Sequence, residues 1–461
     1  MIPLTLAEVA AAVGGRLVAD DPAVPVTGSV EFDSRKVTPG GLFVAFPGEQ
    51  VDGHDYASVA AAAGAVAVLA SRPVPGPHIL VDDQLAAMAA LARAVLDRLP
   101  ELTVVGLTGS SGKTSTKDLI AQLLSRLGPT VAPPGTFNNE LGLPYTALQA
   151  DEKTRFLVLE MGARGRGHIT HLCAVAPPKV GVVINVGVAH IGEFGSVDAI
   201  AEAKGELVEA LPADGLAVLN ADDPRVAAMA SRTPARVLLA GESPAAEIRA
   251  RDVVLSAGRA AYTLVTPAGQ APVRLALAGR HQVGNTLLAA AVAGEFGMPL
   301  PDLAAALSEL RLVSTRRMDI FERPDGVTVI DDSYNANPAS TAAALHGLVS
   351  VAGERRTVAV LGYMAELGEH ERAGHEEVGR LAAELGVHRL VAVGDAAAPI
   401  LDGAATVPAW EGESVLATDQ AAAVTLLAGE LRPGDVVLVK GSRYRTWDVV
   451  DALRPAVGDP S

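Results

Sequence analysis

Apolar residues along the chain follow two repeating patterns that predict alternating strands and helices. Short continuous apolar runs, such as 103–107, 156–159 and 180–186, are typical of strands buried on both faces of a parallel sheet. Between them, longer stretches carry apolar residues at spacings of three and four, as in the helix expected after Gly195. The pattern predicts the α/β fold class, with doubly wound parallel sheets covered by helices.

The same runs divide the 461 residues into three blocks, and a chain of this length is too long for one hydrophobic core. Strand-like runs at 42–46, 65–70 and 78–81 precede a helical stretch at 85–99, and Pro100 and Glu101 mark a seam. The last block begins near Ser314, and its apolar runs are 327–330, 357–361, 390–393 and 436–439. We therefore expect a small α/β domain over 1–100, a central parallel-sheet domain over 101–313 and a Rossmann-like domain over 314–461.

Composition and charge exclude several classes of function. The net charge is -16 with no long block of like charges, so we expect no nucleic-acid partner. The apolar run 57–70 is too short to cross a bilayer, and the N-terminus lacks the layout of a signal peptide, so we expect no membrane insertion. The single cysteine, Cys173, is expected to be a small core residue and fits a reducing compartment. A cytoplasmic location follows as an expectation.

A glycine-rich loop follows the strand at 103–107 and precedes a helical stretch at 117–127. Backbone N–H groups and a helix N-terminus in this setting can hold phosphates. Lys113 would neutralise phosphate charge and the Thr114 hydroxyl would bind Mg²⁺, while Leu107 stands where a standard P-loop has its first glycine. The alternative is a glycine turn that merely caps the helix. The predicted nucleotide-binding residues of the loop are Thr108, Gly109, Ser110, Ser111, Gly112, Lys113, Thr114 and Ser115.

Two polar residues follow neighbouring apolar strands at the edge where parallel sheets bind ligands. Glu160 follows 156–159, and His190 follows the apolar residues at 180–188. A carboxylate and an imidazole there could bind Mg²⁺ beside the phosphates. Either residue, taken alone, could instead be a cap or a structural side chain.

Lys204 lies on the apolar stripe of the helix expected after Gly195, with Ile200 and Val208 four residues away on either side. A buried ammonium group without an acidic partner is costly. The side chain could extend to solvent. Alternatively, its neutral amine could react with CO₂ and give a carbamate, whose negative charge would help to bind a metal.

The last block carries polar residues that could complete a nucleotide and carboxylate site. The loop 331–338 directly follows a strand and could hold a ribose or base, while Arg317 could reach a γ-phosphate when the domains close. Asn285 can donate and accept the hydrogen bonds that adenine needs. A solvated surface charge remains the alternative for Arg317. The basic group expected to suit a carboxylate consists of Lys440, Ser442 and Arg443.

Taken together, these segments resemble the Mur ligase family over nearly the whole chain. The resemblance rests on the loop 108–114, on 138–144, on 160–162, on 185–196 and on 331–338. Residues 43–55, 332–338 and 440–443 resemble the branch of the family that adds D-alanyl-D-alanine to UDP-MurNAc-tripeptide. The resemblance implies ATP and two Mg²⁺ ions as cofactors, a carbamate on Lys204, these two small-molecule substrates and a monomer.

The resemblance also implies a role for each matching residue. It implies that Lys113, Glu160, His190 and Lys204 are catalytic, with Thr114, Glu160, His190 and Lys204 as metal ligands. Asn285 would contact adenine, Arg317 the γ-phosphate, and Asp332 the nucleotide. The implied substrate-binding residues are Asp33, Ser34, Arg35, Asn138, Asn139, Asn335, Asn337, Lys440, Ser442 and Arg443.

Tyr363 departs from the family pattern, because related sequences usually carry an acidic residue at that position, so the sequence predicts no role for it. The implied reaction activates a carboxylate as an acyl phosphate, which an amine then attacks. The nearest alternatives are a Mur ligase that adds a single amino acid and a folylpolyglutamate synthase. A nucleotide-binding protein without catalysis would need the loop but not Glu160, His190 and Lys204 together.

Overall fold

A computed structural model describes residues 1–48, 51–189 and 191–455 of the chain. Its three main sheets have five, nine and six strands, and each lies within one of the three expected blocks. Helices cover the sheets, which confirms the predicted α/β class. We keep 1–100, 101–313 and 314–461 as the proposed domains. In the described part of the chain, no helix combines the length and apolar character needed to cross a membrane.

The N-terminal block has a five-stranded sheet in the order β2-β7-β6-β5-β4, and β1 pairs with β3 beside it. The sheet is parallel except for β2, which runs antiparallel to β7. The first helix begins at a capping box between Thr5 and Glu8 and ends at Gly14, whose φ is 62°. The elements are β1 Leu4–Thr5, α1 Leu6–Val13, β2 Arg16–Val18, β3 Pro25–Val26, β4 Val30–Glu31, β5 Gly41–Val44, α2 Ala57–Ala62, β6 Ala65–Ala70, β7 His78–Leu80 and α3 Gln84–Leu96.

The central block has a nine-stranded sheet in the order β16-β15-β14-β13-β12-β11-β8-β10-β9. The strand with the phosphate-loop sequence, β8, lies between β10 and β11, so the ends of these three strands meet at one edge. The elements are β8 Thr103–Thr108, α4 Lys113–Ser125, β9 Thr130–Val131, α5 Gly142–Ala147, β10 Phe156–Glu160, α6 His168–Val175, β11 Val180–Val183, α7 Ile191–Phe194, α8 Val197–Glu209, β12 Leu216–Asn220, α9 Pro224–Ala228, β13 Arg236–Gly241, β14 Ile248–Ser256, β15 Arg259–Thr266, β16 Gly269–Ala278, α10 Gln282–Glu295 and α11 Leu300–Glu309.

Two features of this sheet differ from the expectation. The strands β14, β15 and β16 form an antiparallel extension, where the sequence predicted only parallel strands between helices. The strand expected over 180–186 ends at Val183, because the chain turns there toward the phosphate loop, where the Asn185 carbonyl accepts a hydrogen bond from the Ser110 N–H group at 3.1 Å.

The C-terminal block has a six-stranded sheet in the order β17-β18-β22-β19-β20-β21. Only β17 is antiparallel to its neighbour, and separate apolar cores lie on the two faces of the sheet. The elements are β17 Asp319–Glu322, β18 Thr328–Asp331, α12 Pro338–Ala352, β19 Thr357–Gly362, α13 Glu371–Glu384, β20 Arg389–Val393, α14 Pro399–Ala405, β21 Glu413–Ala417, α15 Gln420–Glu430, β22 Val436–Lys440 and α16 Trp447–Leu453.

The blocks are joined in different ways. One apolar core continues from helices α1 and α3 into α5 and α6, so the N-terminal and central blocks share buried surface. The ring centroids of Phe32 and Tyr145 lie 5.1 Å apart at this junction. The C-terminal block instead keeps its cores largely to itself, and its linker is fixed by the Ser314 N–H group, which donates to Asp118 at 2.9 Å. This arrangement suits a domain that moves as a unit.

Candidate active site

A cavity of about 880 Å³ lies between the central and C-terminal blocks, at the carboxyl ends of β8 and β10. Most of the predicted site residues line it, although the sequence places them more than 300 positions apart. They are Ser110, Ser111, Gly112, Lys113, Thr114, Ser115, Asn138, Asn139, Glu160, Lys204, Asn285, Arg317, Asp332, Asn335, Asn337, Lys440, Ser442 and Arg443.

The phosphate-loop residues connect β8 to α4 in a strand, loop and helix arrangement. Gly112 adopts φ 77° and precedes the helix, which has no side-chain N-cap. The first N–H groups of α4 therefore remain available to an anion. The Lys113 ammonium folds back and donates to the Gly109 carbonyl at 2.8 Å. Burial lowers the pKa of Lys113, and the nearby Glu160 carboxylate opposes that shift.

Glu160 is 1% exposed and is held by two donors. The Thr114 hydroxyl donates to one carboxylate oxygen at 2.8 Å, and the Asn138 amide donates to the other at 2.7 Å. A hydroxyl and a carboxylate oxygen side by side, next to the loop that would hold phosphates, match the oxygen ligands that Mg²⁺ prefers. These residues fit the metal that the sequence predicted.

Lys204 is 4% exposed, which excludes the alternative that its side chain extends to solvent. In the described part of the chain its side-chain nitrogen has no hydrogen-bond or ion-pair partner. Burial, followed by repulsion from the Lys113 ammonium, holds the pKa of Lys204 well below its ordinary value. A neutral amine facing the cavity is the form that can react with CO₂.

Arg317 reaches from the C-terminal block to the phosphate loop. One guanidinium nitrogen lies 3.3 Å from the Thr114 hydroxyl and 3.2 Å from the Thr136 hydroxyl, and the guanidinium carbon lies 4.2 Å from the Tyr334 ring centroid. The neighbours Arg316 and Met318 have φ of 60° and 54°, a left-handed conformation that is strained for such residues. The strained backbone therefore lies on either side of Arg317, whose side chain contacts the central block.

Lys440 is 2% exposed and does not present a free charge to the cavity. Its ammonium donates to the Asp332 carboxylate at 2.5 Å and to the Asn335 carbonyl at 2.9 Å. The other Asp332 oxygen accepts a bond from the Met318 N–H group at 3.1 Å. The predicted carboxylate-binding lysine therefore orients Asp332 and the segment next to Arg317.

Sequence models of three protein families match successive parts of the chain. "Mur ligase family, catalytic domain" matches residues 27–96, "Mur ligase middle domain" matches 107–293 and "Mur ligase, glutamate ligase domain" matches 316–443. A curated protein of Mycobacterium tuberculosis (strain ATCC 25618 / H37Rv), "UDP-N-acetylmuramoyl-tripeptide--D-alanyl-D-alanine ligase", is 49% identical over 98% of both chains. The chain belongs to the Mur ligase family.

Other relatives of this Mur ligase carry the same name. The Escherichia coli (strain K12) protein with that name is 36% identical over 98% of this chain and 99% of its own. A crystal structure of MurF from Acinetobacter baumannii matches with a TM-score of 0.88 and 30% identity, covering 98% of both chains. MurF ligase from Thermotoga maritima in complex with ADP matches with a TM-score of 0.80 and 30% identity, over 93% of this chain and 97% of that one.

Some predicted residues of this Mur ligase lie elsewhere. Asp33, Ser34 and Arg35 are in the N-terminal block and do not line the cavity. The Arg35 guanidinium pairs with Asp33 at 2.8 Å and lowers the pKa of that carboxyl to about 2. Thr108 and Gly109 lie behind the lining of the cavity. His190 lies outside the described residues, so its place as a metal ligand stays a prediction.

Two residues that organise the phosphate loop of the Mur ligase were not predicted. The Asn185 side-chain oxygen accepts bonds from the Ser110 and Ser111 N–H groups, both at 2.9 Å. Thr136 bonds Thr114 at 3.0 Å and accepts from Arg317. Asn185 follows the strand β11, so the search for polar residues after apolar strands, which identified Glu160, could also have identified Asn185. The chain offers no local signal for Thr136.

The side of the cavity expected to hold adenine, at Gln282 and Asn285, lies close to Gly112 of the phosphate loop. The Asn285 amide nitrogen donates to the Gln282 side-chain oxygen at 3.0 Å. A Cβ placed on Gly112 would come within 3.1 Å of the Asn285 side-chain oxygen, so a glycine suits this close approach. The neighbouring His281 imidazole has its pKa lowered by burial. His281 itself is exposed to the cavity, whereas Gln282 and Asn285 are buried, so an adenine at this position would meet uncharged side chains.

Proposed function

We propose that this Mur ligase is an ATP-dependent ligase that joins D-alanyl-D-alanine to UDP-MurNAc-tripeptide in peptidoglycan precursor synthesis. The observation that supports it best is the convergence on Thr114. Its hydroxyl lies 2.8 Å from Glu160, at the strand end beside Lys113, and 3.3 Å from Arg317, which arrives from the other block. The two substrates are those in the name of the relatives that are 49% and 36% identical to this chain.

The first chemical step activates the tripeptide. A carboxylate oxygen of its terminal residue attacks the γ-phosphorus of ATP, the bond to ADP breaks, and an acyl phosphate forms. Lys113 and the N–H groups at the start of α4 stabilise the negative charge of the transferring phosphoryl group. Lys113 exchanges its bond to the Gly109 carbonyl for a phosphate oxygen, which is a short movement of one flexible side chain.

Thr114 and Glu160 would hold Mg²⁺, with His190 and a carbamate on Lys204 completing the set for two ions. When bound, Mg²⁺ neutralises phosphate charge and orients the phosphates. A carbamate forms when the neutral Lys204 nitrogen bonds to the carbon of CO₂ and loses a proton. It would turn a buried amine into the anion that a metal requires, which accounts for a lysine at 4% exposure beside a second lysine.

The second step makes the amide. The amine of D-alanyl-D-alanine attacks the acyl carbon, the bond to phosphate breaks, and the nitrogen loses a proton. Arg317 fixes the C-terminal block against the phosphate loop and excludes water from the acyl phosphate. Asn138 and Asn139 face the tripeptide, because both line the cavity beside Glu160. The products are UDP-MurNAc-pentapeptide, ADP and phosphate.

In this proposal the three blocks divide the work. The block 1–100 holds the UDP-sugar through Asp33, Ser34 and Arg35, 101–313 holds ATP, and 314–461 closes on both and receives the dipeptide. Asn335 and Asn337 line its side of the cavity. The enzyme acts as a monomer in the cytoplasm, where nucleotide-activated precursors and ATP are available.

Phosphate release with UDP-MurNAc-tripeptide and ATP tests the proposal when the second substrate is varied. We expect release with D-alanyl-D-alanine and a product mass that equals the pentapeptide. Single amino acids and glutamate should give little release. Lys113→Ala should abolish turnover with every substrate. Equal release with a single amino acid, or full turnover by the Lys113 variant, would overturn the proposal.

A further inference from the structure

The C-terminal wall of the cavity carries a group of side chains that the mechanism above does not use. Tyr363 follows β19, and Arg445 follows β22 in the loop before α16. Both line the cavity. Their loops are fastened to each other, because the Ser442 N–H group donates to the Tyr363 carbonyl at 2.9 Å and the Ser442 hydroxyl accepts from the Ala365 N–H group at 2.8 Å.

Tyr363 is held in one orientation. Its hydroxyl donates to the Glu371 carboxylate at 2.6 Å, and its ring stacks on His375 with centroids 5.3 Å apart and an interplanar angle of 19°. The bond to Glu371 raises the pKa of the phenol, so the hydroxyl stays protonated near neutral pH. Because the hydroxyl proton is donated to Glu371, the Tyr363 oxygen can act towards a ligand as an acceptor, for example from an N–H group.

Arg445 is exposed to the cavity, and its guanidinium carbon lies 5.9 Å from the Tyr363 ring centroid. Among the described residues, no carboxylate pairs with its side chain. Two other cations of the cavity already have acidic partners. Lys440 binds Asp332, and Arg164 lies 3.5 Å from Glu366. A planar guanidinium free of acidic partners is well suited to a carboxylate ligand.

We propose that Arg445 binds the C-terminal carboxylate of the incoming dipeptide and that Tyr363 positions its peptide N–H group. The inference rests on the proposed function, which requires a second substrate with an amine at one end and a carboxylate at the other. A single amino acid has its amine and carboxylate on one carbon. In a dipeptide the amine and the carboxylate are separated by a peptide unit, so on this proposal the site formed by Tyr363 and Arg445 selects a dipeptide.

The seat formed by Tyr363 and Arg445 is tested by pairing a protein change with a substrate change. The substrates are D-alanyl-D-alanine and its C-terminal amide, which keeps the amine and loses the carboxylate charge. With the unaltered enzyme we expect the amide to have a KM roughly tenfold higher or more, the size of a charge-assisted hydrogen bond. With Arg445→Gln that ratio should fall close to one, while the KM values of ATP and UDP-MurNAc-tripeptide stay within roughly twofold.

Matched variants separate a binding role from a structural one. Arg380→Gln removes another exposed arginine of the same block, which pairs with Glu384 at 3.8 Å, and should keep the full preference for the carboxylate. Tyr363→Phe keeps the ring and removes the hydroxyl, and should raise the KM of both dipeptide substrates by roughly threefold to tenfold. It should leave the ratio between the two dipeptide substrates unchanged.

The possible outcomes lead to different conclusions. If Arg445→Gln retains the full ratio between the two dipeptide substrates, the carboxylate is bound elsewhere and the inference is wrong. If Tyr363→Phe leaves both KM values unchanged, the tyrosine has no positioning role. If the unaltered enzyme makes no pentapeptide at all, the proposed function fails, which is a separate result.

Discussion

The Thr114 hydroxyl donates to the Glu160 carboxylate across 2.8 Å, although 46 positions separate the two residues in the chain. Strand pairing explains the contact, because Glu160 pairs with Leu107 in the register of β10 and β8, and the loop bearing Thr114 begins just beyond. The sheet therefore brings an acidic oxygen to the first turn of helix α4. This contact places the proposed metal and nucleotide sites at one edge of the sheet.

Glu160→Gln should lower ligation by roughly a hundredfold or more with little change in unfolding temperature. The amide keeps the shape of the side chain but removes the charge, and its NH₂ group faces donors from Thr114 or Asn138. Steady-state ligation over a range of Mg²⁺ concentrations checks this expectation. Half-saturation should move to higher Mg²⁺, and an unchanged Mg²⁺ dependence would exclude Glu160 from the metal site.

Lys204→Ala should abolish ligation, and short carboxylic acids should partly restore it by supplying the charge of the missing carbamate. The measurement is the ligation rate of the variant at increasing concentrations of acetate and formate. Lys153→Ala is the control, because Lys153 is an exposed lysine of the same block and should behave as the unaltered enzyme does with or without the acids. Full activity of the Lys204 variant would refute a catalytic role for Lys204. If no acid restores activity, the proposal that Lys204 carries a carbamate is contradicted.

Gly368→Ala should hinder closure of the C-terminal block. Gly368 has φ 55°, and a Cβ there would lie 2.7 Å from the Gly192 Cα atom of the central block. We expect ligation to fall by roughly tenfold to a hundredfold because the reacting groups are misplaced. Small-angle scattering with ADP should give a larger radius of gyration for the variant.

Gly386→Ala is the matched control for this change. Gly386 has φ 70° in the same block, and a Cβ there meets nothing within 4 Å. Both variants carry similar backbone strain, so a loss confined to Gly368→Ala reports the contact between the blocks. Equal losses in the two variants would mean that strain alone is responsible.

His375 should make stability sensitive to acid. Burial lowers the pKa of His375, whose Nε2 atom accepts a bond from the Met364 N–H group at 2.9 Å. The unfolded chain takes up a proton near the ordinary value of about 6.5 before the folded chain does. The stabilising contribution is therefore complete above that pH and is lost as the pH falls toward the lowered folded pKa.

The comparison with His375→Gln isolates this effect. Chemical denaturation between pH 7.5 and 5, both chosen as roughly one unit or more either side of the histidine titration, should show a steeper loss for the unaltered protein. The difference in slope is at most about 1.4 kcal/mol per pH unit. Parallel curves for the two proteins would show that His375 titrates normally.

The sequence predicted much of the fold because buried parallel strands leave an unmistakable apolar run. The run at 65–70 coincides with β6, and the run at 156–159 falls one residue short of β10. The extension β14 to β16 was missed because its strands have one exposed face. β14 is buried only at Ile248 and Ala250, is mostly exposed from Arg251 onward and carries two arginines, so it gives no continuous apolar signal.

The candidate site could be predicted only in part for a related reason. The apolar stripe around Lys204 correctly predicted a buried side chain. The position of Glu160 directly after an apolar strand correctly predicted that it lies beside the phosphate loop. Partners that depend on tertiary contacts could not be read locally. The ion pair between Lys440 and Asp332 joins residues 108 positions apart, and it converts a predicted carboxylate-binding lysine into a support for Asp332.

The central claim is that the tripeptide carboxylate is activated by the γ-phosphate before the amine attacks. Ligation of UDP-MurNAc-tripeptide labelled with ¹⁸O in its terminal carboxylate tests that claim most directly, with the released phosphate analysed by mass spectrometry. An acyl phosphate requires one labelled oxygen to leave with the phosphate. We expect singly labelled phosphate in amounts equal to the pentapeptide formed, and pentapeptide formed with unlabelled phosphate would contradict the account.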